Sequence, residues 1–323
     1  MRPEPASSDR AVAIQATTAE PIPAEALEKI HSHLDRASVR TQLLLDRGFP
    51  SLDRLFGDAH EQVLPFAKDC LGWSSKWNLV LDAMPFSEGG RHDAFLKQAF
   101  EKRIFSASQL ERAIEQSIRE HLVEIRNIES EMLVAMRADI AELPSLESIS
   151  TLSREELELQ FQRALVDAAN VVGDDLSTNI QSQLVSLIAG EVLAQVAVRL
   201  GVSAGILTTG AASGWATFGV GLIAGLIVDQ IVARIWDWWS DPDGELGLQL
   251  AGKLVELQEL ICNGDETVLG LRGEFQKLAE SRDRARREAI DGILKSALAQ
   301  SAPPRLESIS TDTQARSSAY HKK

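Results

Sequence analysis

From Leu200 to Val228 the chain runs for 29 residues without a charged side chain, 17 of them apolar, seven glycine and five serine or threonine. Such a run belongs either in hydrocarbon or inside a protein. As one helix it would be roughly 43 Å long, more than the roughly 30 Å apolar slab of a bilayer, so its length permits a span or a bend. Hydrophobicity argues less strongly. Nine Leu, Ile, Val or Phe residues between Ile206 and Val228 contribute on the order of −3 to −5 kcal/mol on an insertion scale, before Gly, Ser and Thr subtract from it.

The glycines are placed more tellingly than they are numerous. At 100° per residue, Gly210, Gly214, Gly221 and Gly225 fall at about −40°, 0°, −20° and +20°, a nearly bare strip of backbone on one helix face. Gly210-x-x-x-Gly214 and Gly221-x-x-x-Gly225 match the small-x-x-x-small pattern of helices that pack closely in membranes. Phe218, Leu222, Ile223 and Leu226 supply the apolar contacts that accompany it. In water each such glycine costs about 0.5–1 kcal/mol against alanine, so the strip needs a packing reason.

Tryptophan frames the segment. Trp236, Trp238 and Trp239 follow it and Trp215 lies near its other end; an indole has an apolar body and one N–H in want of a partner, which suits the headgroup level of a bilayer. Upstream, residues 184–200 carry a charged or amide side chain only at Glu191, Gln195 and Arg199, spaced i, i+4, i+8 on one face. With a turn around Thr208 to Ser213, this arm is expected to pack antiparallel on the glycine face, its polar edge meeting a helix of the head, a neighbouring subunit or water. Residues 183–239 therefore read as an apolar, glycine-rich helical hairpin.

The remainder predicts an all-α, elongated helical bundle. Alternating β-branched runs are missing. Helices are expected over about 24–46, 58–84, 106–143 (with Ser108 and Glu111 as a capping box), from Ser153 with Glu156 as a second such box, and over about 245–262 and 266–298. The organisation that follows is a disordered arm (1–23), a bundle (24–182), the hairpin (183–239), C-terminal helices on the bundle (245–300) and a disordered tail (301–323). In layout this resembles α-helical pore-forming proteins, which also attach one apolar hairpin to long amphipathic helices.

Charge and motifs exclude more than they suggest. The net charge is −14 without a long basic run, which argues against nucleic acid as a partner. Cys70 and Cys262 stand alone, so neither a disulfide framework nor a thiolate metal site is expected. A di-iron bundle needs two Glu-x-x-His helices, and only Glu28-x-x-His31 is present. His31 and His33, two apart on a helix, diverge, and His60, His92 and His121 are isolated, so each reads as a solvated or capping histidine and not as a ligand. No phosphate loop, nucleophile elbow or dinucleotide motif occurs, so no cofactor, metal, small-molecule substrate or enzymatic activity is expected. Met1 to Glu20 contain no apolar signal-peptide core. The expectation is a membrane-associated protein with its soluble part in the cytoplasm, engaging a lipid bilayer through the hairpin, with a homo-oligomer or a pore as finer versions. The competing expectation is a soluble helical scaffold in which the hairpin is core; membrane extraction by detergent but not by salt separates the two.

Overall fold

The computed structural model describes residues 22–72, 91–141, 153–168, 179–203, 219–239 and 246–301. The protein is an all-α bundle, with no strand among the described residues. In chain order the helices are α1 (Ala24–Leu43, continued by a 3-10 turn, Leu44–Asp46), α2 (Pro50–Leu71), α3 (Arg91–Arg103), α4 (Ala107–Ile140), α5 (Arg154–Ala168), α6 (Asn179–Arg199), α7 (Gly219–Trp239), α8 (Leu246–Cys262) and α9 (Gly270–Ser301).

Local chemistry fixes where these helices start, and three starts differ from expectation. α2 begins at Pro50, well before residue 58, because proline at the first helical position loses no hydrogen bond and arrives with its φ already helical. α3 occupies a stretch for which the sequence pattern predicts no helix, between segments that read as loop and cap. α4 is capped by Ser106 and Gln109 rather than by Ser108 and Glu111: Gln109 N–H donates to Ser106 Oγ at 3.3 Å, and Ser106 N–H donates to Gln109 Oε1 at 2.7 Å. Phe105 before the cap and Leu110 four residues after it are both fully buried, the arrangement of a hydrophobic staple, and that apolar pair selects the frame. The Ser153–Glu156 box forms as expected. Its two hydrogen bonds to Ser153 hold the Glu156 carboxyl below its ordinary range.

Two apolar cores lie in sequence along α4 and α9. The first half of α4 (Leu110, Ile114, Ile118, Leu122) and the start of α9 (Leu271, Phe275) share a core with α2, α3, α6, α7 and α8. The second half of α4 (Ile125 to Ile140) and the rest of α9 share another with α1 and α5. α4 and α9 run parallel, since His121 stacks on Phe275 (centroids 3.8 Å apart) and, further along both helices, Glu129 pairs with Arg282. α6 and α7 are therefore integral to the bundle. α6 and α7 help make its larger core, because α2, α3 and α8 present apolar faces that α4 alone does not cover.

The smaller core contains charge. Arg282 donates to both oxygens of Glu129 at 2.9 and 2.7 Å, and the fully enclosed Arg286 lies 3.9 Å from Glu129 while donating to Thr41 Oγ1 at 3.0 Å. Glu129 is 1% exposed and Arg286 0%. Nearby, the buried His33 donates through Nε2 to Asp139 Oδ2 at 2.6 Å and accepts from Arg36 through Nδ1, tying α1 to the end of α4. Sequence spacing marks His33 and His121 as solvated or capping; both are interior. Burial pushes the His121 imidazole down to about 4.

Two outcomes are expected. Glu129→Ala leaves two guanidinium groups without their shared carboxylate and lowers the unfolding free energy by about 3–5 kcal/mol in denaturant titration. Because folded His121 excludes a proton that the unfolded chain accepts, stability falls as pH drops from 6.5 towards about 4, by on the order of 3 kcal/mol. A His121→Phe variant lacks that component of the pH dependence.

Candidate functional site

α6 is apolar almost all round. Val185, Ile188, Ala189, Val192, Leu193, Val196 and Ala197 are buried, while Leu187 (54% exposed) and Val198 face outward. A helix this rich in apolar residues finds its place where other elements cover most of them or where lipid does. Among the described residues, Gln181–Arg199 is the one helical stretch long and apolar enough to cross a membrane, and half of it is buried in the bundle.

Its polar stripe has an intramolecular partner. Gln195 Nε2 donates to Glu191 Oε1 at 2.8 Å, and Gln195 Oε1 accepts the Leu269 backbone N–H at 2.9 Å. One turn further, Arg199 Nε donates to Asp265 Oδ2 at 2.8 Å. The receiving element is the connection between α8 and α9, folded tightly by glycines with φ of +75° at Gly264 and +61° at Gly270, angles that a side chain would strain. Asp265 Oδ1 also accepts from Thr267 N–H (2.7 Å), Thr267 Oγ1 (2.7 Å) and Val268 N–H (2.9 Å). The Arg199 hydrogen bond, followed by those from Thr267, holds the Asp265 carboxyl far below the ordinary carboxylate range. Of the three destinations open to the stripe, it meets the head.

α7 carries the longer of the two described parts of the charge-free run, the other being residues 200–203. Val220, Ile223, Ala224, Ile227, Val228, Ile231, Val232 and Ile235 are buried, Leu226 is half-buried and Leu222 is 49% exposed. Asp229, the first charge after the run, pairs with Lys97 of α3 at 2.6 Å, and that hydrogen bond raises the Lys97 pKa. Sequence reasoning missed this clasp, although a carboxylate ending an apolar run was the signal for it. Gly210, Gly214, Trp215 and Phe218 lie outside the described residues, as do the side chains of Trp236, Trp238 and Trp239 at the end of α7.

The expected packing of α6 on the glycine face is corrected. A Cβ at Gly221 would meet Glu111 Oε2 of α4 at 2.9 Å, and one at Gly225 would meet nothing within 4 Å. Gly225 therefore shares an open strip with Leu222 and Leu226. Arg234 Nη2 reaches the Leu200 carbonyl at 3.5 Å. The end of α6 thus lies beside the second half of α7, not its first turn. The physical reason is that both arms must pack on α4, and shared contact with that helix, not with each other's smallest residues, sets their offset.

No group of three or more His, Cys, Asp or Glu side chains fit to hold a metal ion occurs among the described residues. Cys70 and Cys262 are buried free thiols, both pushed up to about 12 by burial, so neither is a nucleophile at neutral pH. What the arrangement can do is physical: two apolar helices are held in a protein core by a few polar clasps at its surface. Comparison of the chain with protein-family models, with curated proteins and with solved structures finds no match.

Gly225→Ala is expected to raise the unfolding free energy by about 0.5–1 kcal/mol, because the helical glycine has open space for a methyl group and alanine loses less backbone entropy. Thermal or denaturant unfolding checks it, and a destabilised variant would mean that the strip is covered.

Proposed function

We propose that this protein engages lipid bilayers through α6, α7 and the apolar stretch between them, and that the bundle is the form in which these helices are stored. The observation that carries the reading is α6 itself: a helix of membrane-spanning length and composition, half buried, tied to the α8–α9 connection by its few polar side chains.

The energetics make release conditional on lipid. Each buried Val, Leu or Ile of α6 would lose about 1.5–3 kcal/mol on moving from the core into water, so the bundle stays closed in solution. Hydrocarbon reproduces the apolar surroundings of the core, and this opposition to release then nearly vanishes. What remains is the apolar surface of α2, α3, α4 and α8 that release would uncover, which must close on itself or meet lipid in its turn, together with the clasps Arg199–Asp265 and Lys97–Asp229, both with side chains a quarter or more exposed; such surface pairs contribute about 0–1 kcal/mol each. Arg199 stands at the end of its helix, where a long cationic side chain reaches the interface.

A soluble scaffold in which α6 and α7 are permanent core is the second reading. It is favoured by the complete enclosure of Val192, Leu193, Val196, Ala224, Ile227 and Val228.

Flotation of the full-length chain with phospholipid vesicles separates the readings. The expected outcome is a vesicle-bound fraction that survives high salt and is released by detergent, and that grows in the Arg199→Ala/Asp229→Ala double variant as the clasps are removed. A chain that stays in the dense fraction in both forms leaves the scaffold.

A further inference from the structure

We infer that Arg199, Arg234 and Lys253 form a receptor for the phosphodiester of an anionic lipid headgroup, a site that rests on the membrane reading and gives it a lipid class. The three cations come from the ends of α6 and α7 and from α8, and they line one cavity of about 240 Å³. Leu200, Ile231 and Leu257 supply the apolar part of its lining. A phosphodiester attached to an acyl-bearing glycerol has this pairing of surfaces, an anion beside hydrocarbon.

The charges are unevenly engaged. Arg199 is held by Asp265 and Lys253 by Glu256, which also lines the cavity. Arg234 meets no carboxylate within 4 Å among the described residues; its contact is the Leu200 carbonyl at 3.5 Å, the outer limit of a hydrogen bond. With both carboxylates ionised the site keeps one net positive charge, in a chain of net −14. Arg234 is exposed and close to Leu200, so an arriving phosphate gains a guanidinium that gives up little. Guanidinium groups bind phosphate oxygens in pairs, and Lys253 adds a mobile point charge.

The position gives binding a consequence. Arg199 belongs both to this cavity and to the clasp that holds α6 on the α8–α9 connection. A phosphate beside Arg199 competes with Asp265 for the same donors, so the lipid weakens the tie on the helix it is to receive.

The test is equilibrium binding of the full-length chain, at low and high salt, to phosphatidylcholine vesicles with and without phosphatidylglycerol. The wild type is expected to prefer vesicles containing phosphatidylglycerol at low salt. Arg234→Gln is expected to weaken that binding about fivefold and Arg234→Gln/Lys253→Gln about 25-fold, from the roughly 1 kcal/mol that one cation contributes near an anionic surface. Arg54→Gln, which removes an exposed charge from α2, controls for net charge and should leave binding unchanged, and melting curves confirm that each variant is folded. Equal loss in Arg54→Gln, or none in the double variant, overturns the site while leaving bilayer engagement standing; a wild type that binds neither vesicle overturns that reading as well. Inorganic phosphate is the second arm. If phosphate in the buffer abolishes vesicle binding at concentrations where chloride of the same ionic strength does not, the cavity takes the free anion and the lipid assignment fails.

Discussion

Covering the apolar residues of α6 is the requirement from which the rest of this bundle follows. Val185, Ile188, Val192, Leu193 and Val196 are buried while Ser182, Gln183, Ser186 and Leu187 stay exposed, so neighbouring helices must wall in the apolar part of its surface. α4 and α7 provide two of the walls, and α8, with the start of α9, closes others. α2 and α3 then complete the core through Phe56, Phe66, Phe100 and Phe105, three of whose ring pairs meet edge to face, the geometry aromatic quadrupoles favour. The length of α4 follows from this arrangement, since it serves the larger core with one half and the smaller core with the other.

The two ends of the molecule are held differently. Around α6 and α7 the interior is apolar and the polar contacts lie at the rim. In the smaller core a carboxylate and a guanidinium are themselves interior, where pairing offsets the desolvation of both but adds little net stability. Such a cluster instead fixes which turns of α1, α4 and α9 may oppose one another, because a shift of one turn would strand a charge. The end bearing the apolar helices thus has an apolar interior, and the other end an apolar core with an ion cluster set into it.

The readable parts of the sequence were those in which the physics is local. The helix over about 106–143, the Ser153–Glu156 box and the helix over about 245–262 rest on signals within a few residues of their effect, and each lies close to where the spacing placed it. α2 was misjudged at Pro50 because proline both ends helices and begins them. The cap of α4 was misplaced by two residues because two serines each have a Glu or Gln three residues on, and only the burial of Phe105 distinguishes the frames. His33 and His121 were misread for a similar reason. A histidine's neighbours in sequence say nothing about Asp139 or Phe275, which are far from it along the chain.

The apolar helices divide in the same way. Sequence alone determined that the chain is all-α, that residues 200–228 carry no charge, and that Glu191, Gln195 and Arg199 share one face, since these follow from side-chain chemistry and the helical repeat. Tertiary structure alone decided that α6 and α7 complete a core with α2, α3, α4 and α8, that the polar face meets Asp265 and Leu269, that Gly225 looks into open space, and that Arg234 reaches Leu200. Periodicity gives the direction of a side chain about its own helix axis but not what stands opposite, and what stands opposite is settled by how several helices together exclude water from one shared volume.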